Sequence, residues 1–135
     1  EFRVCDAQRS LENVRILSSL CRALTYTSFI DFKKNKLFED LNVEFLNDSL
    51  WKASRFGFDS LIYDEALDKI ITMKELILLM YKYSYEALKI FGDEDIINGI
   101  HSILDNGTEC DAQLDVYKKY DYEGLKLFLI NNVDY

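Results

Sequence analysis

The sequence predicts a mainly α protein, an antiparallel helix bundle with one N-terminal strand and, as one of two readings, a short hairpin. Two observations carry this. No proline occurs in 135 residues, where average usage would give about seven, and the five glycines are scattered. Apolar residues recur at three- and four-residue steps along most of the chain, the period of an amphipathic helix.

The length is that of one domain. With 49% hydrophobic and 30% charged residues, the composition is that of a folded chain. Residues 1–6, EFRVCD, alternate with period two and read as a strand already under way. Glu1 and Arg3 then share one face, and Phe2 and Val4 the other. Residues 10–57 read as helices and a loop, and residues 58–135 as a C-terminal helical part.

Ser10 is an N-cap with Glu12 in the first turn. Leu11, Val14, Leu17, Cys21 and Leu24 form the expected apolar row, widened by Ile16, Leu20 and Ala23. The helix is expected to end near Tyr26. Residues 29–42 then read as a solvated loop carrying Lys33, Lys34 and Lys36, with phosphate binding as the alternative. A helix over 43–56 follows, with Phe45, Leu46, Leu50 and Ala53 on its apolar side and Gly57 as its stop.

Residues 58–71 admit two readings, either strands at 61–63 and 69–71 or a helix through 64–67. Thr72 and Glu75 form a capping box that opens a long helix to Phe91, stopped by Gly92. Asp93 is expected to cap the next helix, with Glu94 and Asp95 favouring its N-terminus. That helix ends at Asn106-Gly107. Thr108 caps another to about Tyr120, and Asp121 caps the last.

The formal charge of −8 and pI near 4.6 argue against nucleic acid and acidic membrane surfaces as partners. No apolar run is long enough to span a bilayer, and no secretory signal pattern is present. Three cysteines, Cys5, Cys21 and Cys110, show no CxxC spacing, which suggests reduced thiols and a cytoplasmic setting. Catalytic motifs are sparse. The one histidine, His101, has no His or Cys at helical metal-ligand spacing. No phosphate-cradling glycine loop or nucleophile elbow occurs. Trp51 and Arg55 are i, i+4 neighbours and could stack. Glu1 and Arg3 could form a plain salt bridge, or hold a divalent metal and a phosphate side by side.

Three segments in order resemble the C-terminal part of bacterial carboxylate–amine ligases of the glutamate–cysteine ligase family, in the glutamine-synthetase-like superfamily. They are Glu1-Phe2-Arg3-Val4-Cys5-Asp6 with the helix after Ser10, then Trp51-Lys52-Ala53-Ser54-Arg55-Phe56-Gly57-Phe58-Asp59, then residues 107–117. The second resembles the family's W-[RK]-A-[AS]-R-[FY]-G-[LF]-D segment. Ser49-Leu50 replace the Asn-Arg usual before the Trp, which removes a basic side chain.

The resemblance implies a C-terminal portion of a larger α+β ligase fold. It implies ATP-dependent amide formation of the γ-glutamyl-cysteine type through an acyl phosphate, with Mg²⁺. The substrates would be a glutamate-like carboxylate and an amino-acid amine. It assigns Glu1 to the metal and Arg3 to the phosphate or activated carboxylate, with Arg55 and Lys52 as cofactor-binding residues. Asp111, Gln113 and Tyr117 also match, and helix packing is an equal reading for them. The expectation is that the fragment alone is inactive, and that an unpaired strand edge could make it self-associate. The competing readings are a non-enzymatic helical interaction module and a degenerate ligase domain.

Overall fold

A computed structural model describes residues 8–35 and 42–132. The expected strand at residues 1–6 lies outside them. The described elements are α1 (Leu11–Lys33), α2 (Val43–Phe56), a 3₁₀ turn (Gly57–Asp59), β1 (Leu61–Asp64), β2 (Lys69–Thr72), α3 (Met73–Phe91), α4 (Ile96–Asn106) and α5 (Glu109–Asn131). The protein is mainly α with one two-stranded antiparallel sheet.

Side-chain caps set most helix starts. Ser10 accepts from the Asn13 amide, Asn42 from that of Glu44, Thr72 from that of Glu75 and Thr108 from that of Asp111. Thr72–Glu75 and Thr108–Asp111 are both complete capping boxes. Gly92, at φ +72°, closes α3 in the left-handed conformation that glycine adopts without a Cβ penalty. Asp121 has φ +55° and interrupts α5, and its carboxylate accepts from the Glu123 amide. It therefore caps a new helical stretch, as its sequence position suggested.

Of the two readings of residues 58–71, the hairpin is the one found. Ile62 pairs with Ile71 and Tyr63 with Ile70. Ile62 and Ile71 are buried on one face, and Ser60, also buried, donates its hydroxyl to the Gly57 carbonyl at 2.6 Å.

Three expectations are corrected. α1 does not stop near Tyr26 but runs to Lys33. α3 gives the extra turns a partner: Tyr26 meets Phe91 edge-on at 5.4 Å, and Tyr83 donates to Asp31 at 2.7 Å. Lys33 is thus helical and Lys34 its C-cap rather than loop residues, while Lys36 lies outside the described residues. The buried row of α1 is Ile16, Ser19, Leu20 and Ala23, and Leu11 and Val14 are exposed. Asp93 does not cap α4. Asp95 occupies the N-cap position without a side-chain cap bond, and both carboxylates instead turn toward α1.

The core forms around α1, which packs mainly on α3 and secondarily on α4. Ile16, Leu20 and Ala23 meet Ala87 and Leu88 of α3 and Ile96, Ile100 and Leu104 of α4. Gly99 permits the close α1–α4 approach: a Cβ there would collide with the Ile16 side chain, whose Cγ1 would stand 3.0 Å away. Arg15 bridges to Asp95 at 3.0 Å, and Arg22 pairs with Asp93 while stacking over Phe91 at 4.2 Å.

Leu88 is fully buried. Leu88→Ala is expected to cost about 2–5 kcal/mol in chemical denaturation. Gly99→Ala, although it improves helix propensity, is expected to destabilise by about 1–3 kcal/mol through overpacking. A stabilised Gly99→Ala protein would mean that α1 and α4 are not held at this spacing.

Glu75 and Asp111 are held below their ordinary pKa values, in each case first by the amide of the capping threonine and then by its hydroxyl. Their contribution is therefore present above the unfolded-state values and lost as pH falls through the folded ones. The melting temperature is expected to fall below about pH 4.5, the ordinary value for Glu75. Glu75→Gln should make that fall shallower, and an unchanged acid limb would show that this cap does not titrate.

Candidate functional site

One or more described residues from each of the three segments singled out in the sequence line one cavity of about 510 Å³, bounded by α1, the 3₁₀ turn, α3, α4 and the start of α5. Leu17, Leu20 and Leu24 of α1 line it from the first segment and Phe58 from the second. Gly107, Thr108, Glu109, Cys110 and Gln113 come from the third. Ile77, Ile100 and Ile103 complete a largely apolar wall. No single segment shows this cavity, because its walls come from helices far apart in sequence.

Polar groups gather at its edge. Glu109 forms a two-point ion pair with Arg9 and accepts from the Gln113 amide at 3.1 Å. Burial pushes Glu109 up, but Arg9 and Gln113 outweigh it and the net shift is downward, so Glu109 is held as an anion. Arg9 also stacks over Phe128 at 3.9 Å and donates to the Asn132 carbonyl at 2.9 Å, tying the end of α5 to the start of α1.

Capping and hydrogen bonding account for two of the matched residues of the third segment, and Tyr117 is left in solvent. Asp111 is the capping-box carboxylate of α5, Gln113 supports Glu109, and Tyr117 is exposed. Cys21 and Cys110 both line the cavity. His101 is exposed on α4. Among the described residues no group of three or more His, Cys, Asp or Glu could hold a metal ion. The cavity thus suits an apolar body, and among the described residues it holds no metal-binding cluster.

The other named site residues lie elsewhere. Glu1 and Arg3 fall outside the described residues. Lys52 is half-buried on α2 and pairs with Asp48 one turn back at 2.6 Å. Arg55 is exposed in the last turn of α2. The expected stacking of Trp51 on Arg55 is not found. Trp51 meets Phe56 edge-on at 5.7 Å, a contact open to the last residue of a helix whose chain turns at Gly57. No helix among the described residues is long and apolar enough to cross a membrane.

No family model matches the chain. No solved structure matches it either. Several curated proteins named "Putative glutamate--cysteine ligase 2" do. That of Sorangium cellulosum is 26% identical over 119 residues, covering 88% of this chain and 32% of that protein. That of Chloroflexus aurantiacus is 27% identical over 117 residues, covering 87% of this chain and 30% of that protein. The Solibacter usitatus protein is 24% identical over 136 residues, covering 100% of this chain and 35% of that protein. The chain spans about a third of the length of the curated relatives it matches. Along most or all of its length the chain is similar to part of these longer proteins.

Proposed function

We propose that the chain is part of an ATP-dependent carboxylate–amine ligase that joins a glutamate-like carboxylate to an amino-acid amine through an acyl phosphate. The observation that carries this reading is the similarity to named glutamate–cysteine ligases over 87–100% of the chain. The reaction class needs hard oxygen ligands for Mg²⁺ and a guanidinium for phosphate oxygens. The described residues contain no such metal-binding cluster. The resemblance of residues 1–6 to the family's strand assigns Glu1 to the metal and Arg3 to the phosphate or activated carboxylate, completed by groups that the longer protein supplies.

Arg55 is a weaker assignment, an exposed guanidinium available to a nucleotide. Lys52 is weaker still, because Asp48 already neutralises it. The setting would be cytoplasmic, in keeping with three cysteines that show no CxxC spacing. A second reading, a helical interaction module without catalysis, draws on the uncovered apolar side chains of α2.

The purified 135-residue chain is expected to show no ATP turnover with glutamate and cysteine, since its described part holds no metal centre. Substantial turnover would refute this. The site assignment is tested in the Solibacter usitatus relative with its matched third replaced by this chain. Glu1→Gln there should lower magnesium-dependent ADP release by about 100-fold or more. Unchanged turnover and magnesium dependence would sink the assignment of Glu1 and favour the module.

A further inference from the structure

The ligase reading leaves α2 and the hairpin with a surface that nothing in the described chain covers. α2 is a 14-residue helix that buries no side chain. A helix of that length is marginal in water unless an apolar face is packed. Its packed side is narrow: Phe45 meets Tyr63 of β1 at 5.1 Å, and Ser49, Lys52 and Ala53 are half-buried. Val43, Leu46 and Leu50 follow at three- and four-residue steps on the adjoining row. All three are more than half exposed, Leu50 to 67%.

The hairpin repeats the pattern independently. Tyr63 and Ile70 are cross-strand partners, so they share a face with Leu61. Phe45 packs on Tyr63, yet Ile70 remains 68% exposed and Leu61 more than half exposed. Single exposed apolar residues are ordinary, but rows on two touching elements mark an interface.

Two facts indicate the occupant. The relatives carry this region within chains about three times as long, so about two-thirds of such a protein lies outside the match. A net charge of −8 on each chain opposes burying the face against a second copy. We infer that the α2–hairpin surface is the docking face for the remaining two-thirds of a longer ligase chain. The inference rests on the ligase reading and adds the surface through which this segment would join the rest.

The test compares amide hydrogen exchange over residues 43–56 in the isolated chain and in the Solibacter usitatus chimera described above. Exchange is expected to slow about tenfold or more in the chimera. The double variant Leu46→Glu/Leu50→Glu should abolish the slowing, and Ile130→Glu on α5 should leave it intact. Equal exchange in the two contexts overturns the inference. So does a concentration-dependent dimer of the isolated chain, seen by light scattering, that protects the same residues.

Should the chimera fail to fold, the unmatched two-thirds of the relative is produced separately and titrated with this chain. Association lost in the Leu46→Glu/Leu50→Glu variant supports the interface, and no association overturns it. Exchange reports docking without turnover. Slowed exchange in an inactive chimera would therefore count against the reaction while leaving the interface standing.

Discussion

The packing of α1 against α3 and α4 is the constraint on which the described structure rests. Ile16, Leu20 and Ala23 supply one side, and Leu88, Ile96, Ile100 and Leu104 the other. Burying each large aliphatic side chain contributes about 1.5–3 kcal/mol. Two small residues set the spacing. Ala23 is buried at the crossing, and Gly99 leaves room for Ile16. The ion pairs Arg15–Asp95 and Arg22–Asp93 flank this contact and are partly exposed, so they orient the α3–α4 turn more than they stabilise it.

That packing explains where the three recognisable segments end up. Once α1 lies across α3 and α4, its Leu17 and Leu24 face the start of α5 and Phe58, and a cavity opens between them. The matched residues of the third segment then serve architecture: Asp111 caps, and Gln113 steadies Glu109 against Arg9. Glu1 and Arg3, the residues proposed for chemistry, lie outside the described residues.

Local signals were legible wherever the chain determines its own backbone hydrogen bonding. The α2 limits, the Thr72–Glu75 box, the Gly92 stop, the Thr108 cap and the break at Asp121 were all read from neighbouring residues. The failures share a different cause. The end of α1 was misplaced because Tyr26 and Asp31 find partners on α3, and no local residue announces them. Asp93 reads as a cap because a helix N-terminus favours negative charge, but Arg22 on α1 offers it an opposite charge, and Asp95, at the N-cap position, likewise turns its carboxylate to Arg15. The α1 row was shifted because several apolar residues compete for one face, and only the partner helices select Ile16, Leu20 and Ala23 over Leu11 and Val14.

By itself, the sequence determined the class of the protein, the starts and stops of most helices, and its likeness to the glutamate–cysteine ligases. Periodicity, capping and turn chemistry are properties of a few adjacent residues, and a motif is a string. Tertiary structure decided which apolar row of α1 is the core, how far that helix runs, which carboxylates meet arginines, and that three distant segments surround one cavity. Among the described residues it also leaves the α2 row and the hairpin face uncovered. Those outcomes depend on surfaces meeting across long stretches of chain, where burial and charge pairing outweigh local preference.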